Sequence, residues 1–391
     1  MRLCKFQSVH RIRVSSLPFL LWAVVMLLTA CGGSDPEITS TPPVLLGLTT
    51  AQDVPSEGTL SWEAFTIGTE SYLAAANFRY GGNYNTDSQI YWWNGSAFAV
   101  TQSIPTSGAW DWEYFTIGSD HFLAVANAYN GSTYNTDSKI YRWNGTSFVE
   151  YQSIPTSAAY DLEAFTIGTE TYLAVANAYN GSSFNIDSKI YKWTGTAFTQ
   201  FQIIATNSAN GLAAFTIGTD HYLAVANQYN GSTYNIDSKI YVWNGSSFME
   251  HQSIPTSGAF DWEHFTIGAD HFLAVANRYN GSSYAIDSKV YRWNGTSFTE
   301  LHGIPTIEAY DLTFFTVGDD SYLAAANSTV ISGSTVDSNI YKWNGTDFQY
   351  FTGVATSGAT DWEHFTLGGD HYLALANYPD GDTTIYLGEV D

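Results

Sequence analysis

Residues 113–155 read EYFTIGSDHFLAVANAYNGSTYNTDSKIYRWNGTSFVEYQSIP. Glu113 to Ile117 alternates and is rich in β-branched and aromatic residues, the composition of a half-buried strand. Gly118-Ser119-Asp120 is a tight turn, His121 to Asn127 a second strand and Ser138 to Trp143 a third. Asn144-Gly145 is a two-residue hairpin signal, because both residues tolerate positive φ. Ser147 to Ile154 is a fourth strand, stopped by Pro155. Four antiparallel strands, here named A to D in chain order, make one propeller blade. Ala124 and Ala126 suit close packing of neighbouring sheets, while Phe115, Tyr141, Trp143 and Phe148 are large enough to fill the space between them.

The unit recurs. Phe-Thr-Ile-Gly or a close variant begins at Phe65, Phe115, Phe165, Phe215, Phe265, Phe315 and Phe365, a period of 50 residues. A Leu-Ala-x-Ala-Asn block ends at Asn77, Asn127, Asn177, Asn227, Asn277, Asn327 and Asn377, and Ile/Val-Tyr-x-Trp follows in the first six units. A fixed period of this length signals a solenoid, a propeller or an array. The ends decide for a ring. The last unit stops at Asp391 without a strand D, and Leu48–Pro55 (LTTAQDVP) aligns with Phe98–Pro105 (FAVTQSIP). The N-terminal segment therefore supplies the missing strand, which leaves no open edge; an open solenoid would carry polar caps instead. The expected fold is all-β, a seven-bladed propeller over residues 48–391.

Upstream lies a different kind of sequence. Arg2, Lys5, Arg11 and Arg13 precede an apolar run, Leu17 to Leu28, and Leu28-Thr29-Ala30-Cys31 follows. A charged start, a short apolar stretch and small residues before a cut describe an export signal. Ending on a cysteine, residues 1–30 resemble a bacterial lipoprotein signal peptide. That resemblance implies cleavage before Cys31, its lipidation, and a durable membrane anchor. Residues 31–47 form the expected tether, rich in Gly, Ser, Thr and Pro. Gly32 in place of Asp after the lipidated residue favours, by analogy with lipoprotein sorting, export to the outer membrane, with a periplasmic and an outward, surface-exposed orientation both open. Only Cys4 and Cys31 exist, so the folded part has no thiol, disulfide or cysteine-ligated metal. Without the leader's four bases, 10 basic residues face 37 acidic ones, a net charge near −27. Nucleic acid, which needs basic surface, is excluded as a partner. Nothing in the sequence points to an oligomer.

The IYxWNG, QSIPT, DWE and YLAVAN blocks, occurring together and in order over residues 48–391, resemble the epilepsy-associated repeat, also called EAR or EPTP. The resemblance implies a seven-bladed propeller of the kind found in extracellular proteins that bind other cell-surface proteins.

In an up-and-down blade the A–B and C–D turns share one face, and the B–C and D–A connections share the other. The second face, expected to carry the longer loops, is the expected binding face. Its B–C loops present Tyr129, Asn130 and Tyr134, then Tyr179 and Asn180, Tyr229 and Asn230, and Tyr279; its D–A loops present Trp110 and Trp112. Exposed aromatics with amides suit a protein or glycan at the cell envelope. The plainer reading is that Asn and Asp make local turns and Tyr packs on its own loop. Asp111, Asp161, Asp261, Asp311 and Asp361 precede the innermost strand and are expected at the channel mouth, where calcium would relieve their repulsion; the bland alternative is again a turn cap.

Near-copies of one loop suit binding better than catalysis, which needs unlike groups with separated pKa values. The expectation is a lipid-anchored binding module rather than an enzyme. A glycan hydrolase or lyase using Glu113, Glu163 and Glu263 is one alternative, with Arg79 and Arg278 as the bases that would favour it, and a structural scaffold in a surface assembly is another. His121, His221, His271 and His371 recur at the A–B turn without metal-ligand spacing.

Overall fold

The computed structural model describes residues 43–55, 58–328, 335–378 and 382–391. The leader, Cys31 and most of the expected tether lie outside these residues, as do the divergent loop tips Thr329–Ile331 of blade six and Pro379–Gly381 of blade seven. Every regular element described is a strand: 28 of them form seven four-stranded antiparallel sheets. In six sheets the spatial order follows the chain. The seventh runs Leu45–Pro55, Asp382–Val390, Asp370–Asn377, Ala359–Leu367, so the N-terminal strand is its outermost member. The first strands of successive blades contact one another round the ring, with Thr59–Ile67 against Ala359–Leu367 closing it.

Blade two shows the local logic, and one departure from expectation. Its strands are Ala109–Ile117, Asp120–Asn127, Ser138–Trp143 and Phe148–Ile154. Strand A begins four residues before Glu113, so Trp110 to Glu113 lie inside the innermost strand. The D–A connection that leads into it shrinks to Thr106–Gly108. The physical reason is at Gly108: its φ of 57° reverses the chain at once, and its bare Cα admits the Tyr129 carbonyl, which a Cβ would meet at 2.6 Å. The closing strand is also longer than expected. Leu45–Gly47, assigned from sequence to the tether, start it, and Leu45 is buried between blades six and seven with Phe315, Tyr322 and Trp362.

Between blades lies apolar packing. Phe115, Phe122, Ala124 and Ala126 of blade two meet Leu162, Val175, Tyr191 and Phe198 of blade three. The alanines let the sheets approach, and the rings fill what remains. Polar ties fix the register. Gln102 of one strand D donates from Nε2 to the Phe148 carbonyl of the next blade at 2.7 Å and accepts from the Phe148 N–H at 2.9 Å. Gln152, Gln202 and Gln252 repeat this double bond. Gln52, on the closing strand, makes it to Phe98 of blade one at 2.9 and 2.8 Å. Ring closure thus uses the same latch as the four seams from blade one to blade five; at the next seam His302 stands in place of Gln and accepts from the Phe348 N–H alone. In blades one to six the Asn that ends strand B is a buried tie as well: Asn127 donates to the Asp137 carbonyl and accepts from the Ser107 N–H.

Candidate functional site

The channel is lined by strand A. With a side-chain period of two, residues 111 and 113 point the same way and Trp112 the other. The result is two rings of acids. Asp111, Asp161, Asp261, Asp311 and Asp361 form the upper ring; Glu63, Glu113, Glu163, Glu263 and Glu363 form the lower. A cavity of ≈ 390 Å³ is bounded by both. The innermost strand of any blade has a free edge of N–H groups, and the acids fill that need. Glu63 accepts from Tyr114 N at 3.0 Å, Glu113 from Ala164 N at 2.9 Å, and Glu163 from Ala214 N at 3.1 Å. Glu263 accepts from Phe314 N and Glu363 from Ala64 N, which takes the chain of bonds across the ring closure. Above them, Asp161 accepts from Leu212 N, Asp311 from Trp362 N and Asp361 from Trp62 N.

Each of these groups keeps some accessible surface at the channel, and protein surrounds the rest of it. Burial accordingly pushes the carboxyls up, to about 8 for Glu163, Glu263 and Glu363, about 7 for Asp111 and about 6 for Asp311. Glu63, Glu113, Asp161, Asp261 and Asp361 rise well above the usual range, from burial first and then from repulsion by neighbouring acids. The five aspartates thus do ring the channel, as expected for a calcium site. Among the described residues, however, no three His, Cys, Asp or Glu side chains converge to hold a metal ion. The reason is the N–H work just described, which turns the carboxylates toward the next blade.

Blade four breaks both rings. Blade one has Ser61 in place of the Asp and blade six Thr313 in place of the Glu, but only blade four lacks both acids, with Gly211 and Ala213 there, and a Cβ at Gly211 would lie 2.7 Å from the Asp261 Cα. Beside them Asn210 is 3% exposed, and neither its amide nitrogen nor its amide oxygen has a hydrogen-bond partner. It lines the upper cavity with the aspartates.

An aromatic plug covers this end. Trp110 stacks on Tyr160 with centroids 3.9 Å apart and planes 6° apart, and reaches Phe260 three blades away at 6.2 Å. Phe260 packs on Tyr310 at 4.5 Å. Arg278 lies over Tyr310 at 4.7 Å and pairs with buried Glu308 at 2.8 Å. Trp110 is therefore a channel residue. Trp112, expected on an exposed loop, is 1% exposed and donates to the Ala75 carbonyl of blade one at 3.0 Å. Its place inside strand A is what buries it.

Around the plug the B–C loops form an arc. Rings follow one another from Tyr378 to Phe78, Tyr84, Tyr129, Tyr134 and Tyr179 at 4.4–5.9 Å. The sequence continues through Phe184, Tyr229, Tyr234, Tyr279 and Tyr284 at 4.2–5.0 Å. Each ring is half-buried against its neighbours, with an edge open to solvent. Asn130, expected as a recognition amide, spends its Oδ1 on the Ser132 and Thr133 N–H groups, and Asn180 and Asn230 do the same in their loops. These asparagines shape the loops, and the tyrosines form the open aromatic surface of the face. The recurring histidines pair locally: His121 with Tyr114, His271 with His264, His371 with His364. Arg79 lies over Tyr84 at 5.1 Å.

Seven four-stranded blades around a channel define a seven-bladed β-propeller. Seven successive matches to the EPTP domain, at residues 49–94, 97–144, 147–194, 197–244, 247–294, 297–344 and 347–387, span it, and the chain belongs to the EPTP family. It is 45% identical over 49 residues to a human thrombospondin-type laminin G domain and EAR repeat-containing protein, a match covering 12% of this chain and 7% of that one. The chain thus corresponds to a small part of that relative. Among solved structures it is similar to a putative 6-phosphogluconolactonase from Bacteroides fragilis, with a TM-score of 0.61 and 12% identity over 84% of this chain and 95% of the other. At that identity the likeness concerns the fold alone.

Proposed function

We propose that this propeller is an interaction module of the cell envelope, anchored by lipid at Cys31 and docking a protein or glycan on its B–C loop face. The observation that carries the reading is the aromatic arc from Tyr378 to Tyr284. Interface hot spots favour rigid aromatic groups with open edges, and stacking fixes these rings before any partner arrives, which lowers the entropy lost on binding. The catalytic alternative has less support, because Glu113, Glu163 and Glu263 each hold a backbone N–H of the next blade. The test is a surface-protein and glycan array probed with the purified protein, with protease shaving of intact cells to locate it. The expected result is surface exposure and a saturable hit weakened at least tenfold by Tyr129→Ala, Tyr179→Ala and Tyr229→Ala together. A blank array with the protein protected from protease would overturn the reading.

A further inference from the structure

Eight of the ten channel acids accept an inner-edge N–H of the next blade, and all ten line the channel cavity. Among the described residues no Lys or Arg lines either cavity. The Asp and Glu of one strand are two residues apart, so the rings are stacked about 6.7 Å apart along the strand. An extended four-carbon diamine spans about 6 Å between its nitrogens at ordinary bond lengths.

We infer that the channel is a receptor for a linear aliphatic di- or polyamine, lying along the axis with one ammonium group in the aspartate ring and the next in the glutamate ring. Two further features fit this ligand. Asn210, 3% exposed and without a partner for either amide atom, lines the upper cavity, and its carbonyl oxygen is an acceptor for an ammonium N–H. Blade four, with Gly211 and Ala213, gives the channel one wall without carboxylates, against which methylene groups lie without stripping water from a charge. The cavity of ≈ 390 Å³ accommodates such a chain. Trp110, stacked on Tyr160 and reaching Phe260, closes the upper end over the ligand. Burial first, and repulsion between neighbouring acids second, raise the proton affinity of this lining.

The inference is independent of the docking-face reading, and its test does not touch the loops. The purified protein, dialysed against chelator and then high salt, is titrated calorimetrically at constant ionic strength with 1,4-diaminobutane, spermidine, 1,2-diaminoethane, butylamine and calcium chloride. The expected result is one saturable equivalent of 1,4-diaminobutane or spermidine, with the short diamine and the monoamine at least tenfold weaker. The double variant Asp161→Asn/Glu163→Gln keeps an acceptor for the Leu212 and Ala214 amides and is expected to bind at least tenfold less while retaining its Tm. Tyr350→Ala, on the exposed outer strand of blade six, is expected to bind as the parent does. No saturable amine binding, equal affinity for mono- and diamine, an unaffected double variant, or binding of calcium alone would each overturn the inference.

Discussion

At the residue scale, Glu308 shows how one departure from the repeat recruits another. The equivalent positions in blades two and five are Gly108 and Gly258, both with φ of 57°. Glu308 holds φ at 48°, in a region where side chains are strained, and is 3% exposed at its side chain. What keeps it there is Arg278, 2.8 Å away and itself packed over Tyr310. Removing one partner of a buried pair leaves an uncompensated charge. Arg278→Ala is therefore predicted to cost about 3 kcal/mol of unfolding free energy. Arg278→Ala/Glu308→Gly, which restores the glycine of the sibling blades, is predicted to recover most of that loss. Urea unfolding of both variants checks this; a double variant no more stable than the single one would show that the pair is not the cause.

At the element scale the seams between blades depend on a short polar contact as well as on the apolar core. Gln102 makes two hydrogen bonds across one seam, so Gln102→Leu is predicted to lower stability by about 2 kcal/mol. Thermal and denaturant unfolding should show that loss as a shift of the whole transition; a variant as stable as its parent would mean the aromatic packing alone fixes the register. Much of this scale was readable in the sequence. The period of 50, the Asn-Gly turns and the Gln-x-x-Pro match between Gln52 and Gln102 pointed to blades, strands and closure. What was missed follows from short-range physics. Strand A begins at Ala109 because a positive-φ Gly108 turns the chain in one residue, and nothing in the alternation after Glu113 marks that. Burial of Trp112 and the paired inward aim of Asp111 and Glu113 follow from that start alone. The spacing Asp-x-Glu, read as a strand rather than a loop, was the signal for the double acid ring. The aromatic arc was visible only as scattered tyrosines, since the contact of Tyr134 with Tyr179 depends on how adjacent blades are set.

At the scale of the whole molecule the channel makes stability depend on pH. In the folded state Asp311, Asp111, Glu163, Glu263 and Glu363 release their protons near 6, 7, 8, 8 and 8, whereas unfolded Asp and Glu do so near about 4. Between those limits the folded state binds more protons than the unfolded chain, so stability falls as pH rises. The contribution is complete below about pH 4 and is lost through pH 6 to 8. The prediction is a Tm that drops steadily from pH 5 to pH 9 in buffer free of amines and metal ions, read by calorimetry; a flat or rising Tm would contradict it. Closure of the seventh blade by Leu45–Pro55 carries a different consequence, one of time. This strand is among the first parts of the domain to be synthesised, and its partner, Asp382–Val390, is the last. Until Asp382–Val390 is made, Leu45–Pro55 has no strand to pair with. Six blades can form as an open crescent during that interval, but the circle is sealed by the oldest segment of the chain meeting the youngest.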